Sequence, residues 1–163
     1  MRRPEIAIMR MPAISAWCLS FLLVAGFCAC DTVDKARMRI FGVHVCAPAE
    51  ETAEWVIAQA LAAASDPDEE HGWSAFQKML HSSERTPAAL RSWREGSWAR
   101  MRRQASLYLD SSKCFNLVDF REMQGEVGFD YFVANRQREM PTPCSVYLDP
   151  NNNNLWRIKR CSL

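Results

Sequence analysis

The chain predicts an α+β domain in which three N-terminal helices pack on a four-stranded antiparallel meander. Apolar residues recur at helical spacing through residues 53–64, 73–80 and 90–108, and period-two alternation takes over from residue 114. Four runs of strand composition, 114–122, 125–137, 144–149 and 155–162, are separated by Gln124-Gly125, by Pro141-Thr142-Pro143 and by Asp149-Pro150 with four following asparagines. Each separator is turn chemistry, since Gly and Asn accept positive φ and Pro presets φ while removing a ladder donor. With 163 residues, 48% of them hydrophobic, the chain is long enough for one core without a structural metal.

The first segment reads as targeting rather than fold. Arg2, Arg3 and Arg10 precede an uncharged apolar run over 11–29, which ends at Cys28-Ala29-Cys30-Asp31. A basic start, an apolar centre and small residues at the end describe a secretory signal. The terminal cysteine makes it resemble a bacterial lipoprotein signal, which implies lipidation at Cys30 and a domain anchored on the outer side of the membrane, in the bacterial envelope or periplasm. A cleaved soluble export signal or an uncleaved anchor would also carry the folded part across, because the positive end stays inside. The expected organisation is a leader over 1–30, a tether over 31–47 and the folded domain over 48–163. Removing the three arginines and one glutamate of the leader leaves 17 basic and 18 acidic residues, so nothing calls for nucleic acid or an acidic partner.

The mature part keeps Cys46, Cys114, Cys144 and Cys161, an even set that in an exported domain suggests two disulfides with three connectivities open. If Val146 and Leu148 share the buried face with Trp156 and Ile158, Cys144 lies on that face and Cys161 on the other. A Cys144–Cys161 bridge is then disfavoured unless the strand end is bulged. No cysteine pair has the Cys-x-x-Cys spacing, so neither a metal nor another cofactor is expected.

In the tether, 31–39 is polar, while 40–46 could dock as an extra strand with His44 pointing to water between Val43 and Val45. The first helix is carried by Ala53, Val56, Ile57, Ala60, Leu61 and Ala64 on one face, with Pro48 as its start, Glu50 and Glu51 in its first turn and Ser65-Asp66-Pro67 as its stop. A short second helix follows the acidic turn 66–70, has Trp73, Phe76 and Leu80 on one side, and ends at His81-Ser82-Ser83. A third helix spans 86–109, capped by Thr86 with Pro87 at its first position. Leu90, Trp93, Ser97, Met101, Ala105 and Tyr108 form its stripe, with Trp98 at the edge. Its arginines read as a solvated face whose stems cover apolar neighbours.

The helical face of 53–64, the Trp73–Leu80 segment and Leu155-Trp156-Arg157-Ile158 after an Asn-rich hairpin together resemble the nuclear transport factor two-like superfamily. The resemblance covers 48–163 and implies a cone-like domain whose curved sheet wraps the helices around a pocket. Enzymes of that kind resembling ketosteroid isomerase or small dehydratases hold an Asp or Asp/His pair in the cone, where burial raises the carboxylate's pKa. In this chain that role would fall to Asp119 as base, with His81 as its only partner in prospect. Binding without chemistry is the favoured expectation. Trp73, Phe76, Trp93, Met101, Tyr108, Phe129, Tyr131 and Trp156 are aromatic and apolar enough to line a small-ligand pocket, or else to fill the core. The outer sheet face, with Phe120 and Phe132 as its exposed aromatics, is the expected surface for an envelope partner or a homodimer. The expected function is thus a membrane-tethered domain that binds a small apolar ligand or an envelope protein without catalysis, the alternative being an isomerase- or dehydratase-like enzyme.

Overall fold

The computed structural model describes residues 42–163, so the leader, with Cys30, and most of the tether lie outside the described residues. The class is α+β: a five-stranded antiparallel sheet with helices on one face. Strand β1 (Val43–Val45) precedes the helices α1 (Ala53–Ala64) and α2 (Glu69–Met79). Helix α3 (Pro87–Trp93) runs through a π-helical segment (Arg94–Trp98) into α4 (Ala99–Tyr108). The meander β2 (Phe115–Glu122), β3 (Gly128–Val133), β4 (Thr142–Asp149) and β5 (Leu155–Cys161) completes the chain. Strand order is sequential, and β1 adds the fifth strand by pairing Val43 with Leu117 and Val45 with Phe115. Among the described residues no helix is long and apolar enough to cross a membrane.

Helix α1 begins later than its acidic lead-in suggests. Thr52 is the N-cap, its side chain accepting from Trp55 N, and Glu51 precedes it at φ 64°, so Glu50 and Glu51 lie before the helix and Glu54 is the first-turn acid. Its expected face is buried, and it packs on β4, β5 and α2. Helix α3 starts as expected, with Thr86 Oγ1 accepting from Ala89 N and Pro87 in the first turn. The π-helical segment then adds a residue to the turn, so the buried series runs Trp93, Trp98, Met101, Ala105, Tyr108. Trp98 therefore sits in the core rather than at its edge, fully buried and against Trp73 and Phe76 with ring centroids 5.6 and 5.0 Å away.

Two further added residues occur in the sheet. Leu117 pairs with Val133 but Asp119 pairs with Phe132, leaving Val118 as a bulge. Beyond it Phe120 pairs with Tyr131 on the helix-facing side, and Asp119 joins Phe132 on the outer side. In β5, Val146 pairs with Ile158 but Ser145 pairs with Arg160, so Lys159 is extra and Cys144 stands directly opposite Cys161. These two cysteines form a disulfide at a Cα separation of 4.1 Å, and Cys46 is joined to Cys114. The disfavoured Cys144–Cys161 pairing is thus the observed one, because the bulge restores the shared face. Two disulfides are compatible with an extracytoplasmic location.

The outer face is polar where the strands pair. Arg121 stands opposite Asp130, Asp130 accepts from Ser145 Oγ, and the Arg121 guanidinium covers the Phe132 ring at 4.8 Å. Gly128 pairs with Tyr147, and a side chain at 128 would meet that ring at 2.4 Å, so the glycine lets the tyrosine lie across the strand.

Candidate functional site

A cleft of about 630 Å³ lies between α1 and the end of α4. Ala58 and Ala62 supply one wall from α1, on the side turned away from the sheet. Ser65, Asp66 and Pro67 close one end; Ser106 and Leu109 form the opposite wall; Asp110, Ser111, Lys113 and Arg136 make the remaining rim. The two alanines leave room on the α1 side that leucine would fill. Its volume lies within the range usual for small-molecule sites.

Side-chain hydrogen bonds hold this rim. Arg136 donates to the carbonyls of Ser106 and Leu109, and Arg102 donates to the Asp66 carbonyl at 2.7 Å. Asp110 Oδ1 accepts from Ser112 N and Cys114 N, and the Cys114 hydrogen bond foremost holds its carboxyl below the ordinary value. Asp66 takes a 2.6 Å hydrogen bond from His71, which lowers the Asp66 pKa and raises that of His71. Lys113 reaches the rim at φ 61°, and its ammonium has no ion pair or side-chain hydrogen bond among the described residues. The cleft therefore combines an apolar floor with the Lys113 ammonium, which has no side-chain partner among the described residues.

The aromatic and apolar residues proposed for a ligand pocket lie elsewhere. Trp73, Phe76, Trp93, Met101, Tyr108 and Tyr131 are buried in the core, Phe129 and Trp156 are partly buried against it, and none lines the cleft. Three of them use their polar atoms within the fold: Tyr108 shares a 2.9 Å hydrogen bond with Thr142, Tyr131 donates to Glu54, and Trp93 Nε1 donates to Glu84. Burial, reinforced by the Glu54 carboxylate, pushes the Tyr131 phenol well up, so it stays a donor.

Asp119 and His81 are not brought together. Asp119 lies on the outer face of β2, whereas Leu80 bridges to Ile158 beyond β5 and His81 N donates to the Ile158 carbonyl. Four strand spacings separate them, roughly 19 Å along the sheet. The carboxylate beside His81 is that of Asp149, which is fully buried and 3.7 Å from His81 Nε2. Burial alone would raise the Asp149 pKa, but hydrogen bonds from Ser82 Oγ, Ser82 N and Asn151 N outweigh it and the net shift is downward. His81 Nδ1 accepts from Ser83 N and lies 2.9 Å from Ser83 Oγ. With its lone pairs committed to a turn N–H and its other nitrogen beyond hydrogen-bond range of Asp149, His81 caps the turn Ser82–Glu84, and the network clamps that turn to the β4–β5 hairpin.

One grouping escapes sequence spacing. His44, Cys46 and Cys114 place their donor atoms within 4.8 Å of one another where β1 joins β2. The His-x-Cys spacing of His44 and Cys46, at the end of β1, is the local signal; the third member comes from residue 114, across the pairing of Val45 with Phe115. In comparisons with known proteins, no family model, no curated protein and no solved structure matches this chain.

Proposed function

We propose that this chain is an exported, membrane-tethered binding domain of the cone-shaped, nuclear transport factor two-like kind, taking a small apolar ligand with an anionic end in the cleft between α1 and α4 without catalysis. The cleft carries this proposal, with its alanine wall, Leu109 and Pro67 for apolar contact, and the Lys113 ammonium at its rim. The α+β architecture and the two disulfides support the exported domain; the filled aromatic core moves the ligand away from the cone interior to its flank. Catalysis with Asp119 as base draws no support from a carboxylate on the outer sheet face, far from His81. Docking of an envelope partner or a second copy on the sheet draws little, since Phe120 turns inward and Arg121 covers Phe132.

Fluorescence titration of the full chain with anilinonaphthalene sulfonate, an apolar anion, tests the proposal. One saturable site is expected, lost in Ala62→Trp, which fills the cleft from an exposed helix position, and weakened in Lys113→Glu, with circular dichroism unchanged in both. Binding that both variants retain at full strength would sink it.

A further inference from the structure

The grouping at the β1–β2 junction is built like a metal site that the disulfide keeps closed. His44 lies on the edge strand β1 and Cys46 is the residue just past its end, two positions on; Cys114, just before β2, presents its sulfur to Cys46. His44 Nδ1 lies 2.7 Å from the Asn116 amide oxygen, which can only accept, so the ring proton sits on Nδ1. The lone pair of Nε2 then faces the Asp110 carboxylate, 3.2 Å away, and two acceptors at that distance are joined by a proton or by a cation. An imidazole oriented by a hydrogen bond on its other nitrogen is the usual state of a metal-ligating histidine. His44 and Cys46 are exposed and also line a shallow open depression, so solutes reach them, while Cys114 is buried behind.

We propose that the Cys46–Cys114 disulfide is reversible and that its reduced form binds a divalent cation of the zinc class, through both sulfurs and His44 Nε2, with the fourth position open to solvent. Two thiolates and an imidazole select a borderline-soft ion over calcium or magnesium. A dithiol reductant attacks the exposed Cys46 sulfur; the S–S bond breaks and Cys114 leaves as thiolate. The reductant's second thiol then displaces Cys46 from the mixed disulfide, so the dithiol ends oxidised to its own disulfide and the protein holds two thiols. Binding of one Zn²⁺ expels two thiol protons to solvent. The ion takes over the cross-link between β1 and β2, exchanging a covalent tie for a coordinate one.

The test is zinc and cobalt titration of the full chain in detergent, reduced with a phosphine or oxidised with diamide. The reduced chain is expected to take up one tightly held equivalent with a thiolate-to-cobalt charge-transfer band, and the oxidised chain none. Cys46→Ser should abolish the band, His44→Ala should weaken uptake, and Asn116→Ala, which removes only the orienting acceptor, should weaken it about 10–100-fold. His44 and Asn116 are exposed, so circular dichroism should not change in either variant. Absence of uptake on reduction, uptake that survives Cys46→Ser through the other thiols, or uptake indifferent to His44→Ala would each overturn the proposal.

Discussion

Removing the two disulfides separately should reveal that the loop each closes, rather than the burial of its sulfurs, sets its contribution. Cys46–Cys114 spans 68 residues and Cys144–Cys161 spans 17. Loop-closure entropy then assigns about 4 kcal/mol to the first and about 3 kcal/mol to the second at 25 °C. The spans 46–114 and 144–161 share no residue, so the two losses should add to about 7 kcal/mol, a large part of an ordinary domain's stability. Burial predicts the opposite order, because Cys144 and Cys161 are both in the core whereas Cys46 is exposed. Urea unfolding of Cys46→Ala/Cys114→Ala, Cys144→Ala/Cys161→Ala and the quadruple variant, followed by tryptophan fluorescence, gives the three free energies. If the Cys144/Cys161 variant loses more than the Cys46/Cys114 variant, native-state packing governs and the loop-closure reasoning fails.

Gly96→Ala and deletion of Gly96 should act in opposite directions. A side chain at 96 meets nothing within 4 Å, so alanine should stabilise by about 0.5–1 kcal/mol, whereas deletion removes the extra residue of the π-helical segment and turns α4 by about 100°. Losing a buried tryptophan face in that way should cost about 3–5 kcal/mol; an unchanged Tm on deletion would show that Trp98 does not depend on the segment. Gly128→Ala should cost about 1–3 kcal/mol through contact with the Tyr147 ring, and most of that cost should vanish in a Tyr147→Ala background; an equal cost in both backgrounds would refute the steric account. Asp66 should hold His71 above its ordinary value of 6.5, while His71 holds Asp66 below 3.8. With its folded pKa raised, His71 contributes stability that is fully present below 6.5 and lost as pH rises through the folded value; the Asp66 share is lost as pH falls through that residue's own lowered value. The pair is exposed, so the effect on stability is small, and the check is an NMR titration in which Asp66→Asn returns His71 toward 6.5; a wild-type value at or below 6.5 would contradict the geometry.

What the sequence disclosed and what it concealed divide along single added residues. The face of α1, the cap at Thr86 and the asparagine turn could be read because each repeats a local rule: period 3.6, a side-chain acceptor before the first turn, and tolerance of positive φ, which Asn153 and Asn154 show at 53° and 54°. Val118, Lys159 and the π-helical turn each insert one residue into such a rule, and every side chain beyond the insertion changes phase. Phe120 turns inward and Asp119 outward, Cys161 comes to face Cys144, and Trp98 replaces Ser97 in the core. Nothing in the composition of Leu117-Val118-Asp119 or Ile158-Lys159-Arg160 announces the extra residue, because its cost is local and its compensation lies across the sheet. The cleft was hidden for a different reason. Ala58 and Ala62 read as a permissive helix surface, and only the position of the α4–β2 loop and Arg136 makes an enclosure of it.

The bond between Cys46 and Cys114 also determines how the domain bears load. Tension arriving along the backbone from the N-terminal side of Val43 meets the pairing of β1 with β2 and then, at Cys46, crosses to Cys114 through the sulfurs. Residues 47–113, with every described helix, form a side branch to that path and carry none of the pull while the bond stands. Once the bond is opened, the same pull must pass in series through α1, α2 and the long helix, so one thiol exchange changes which part of the molecule yields first.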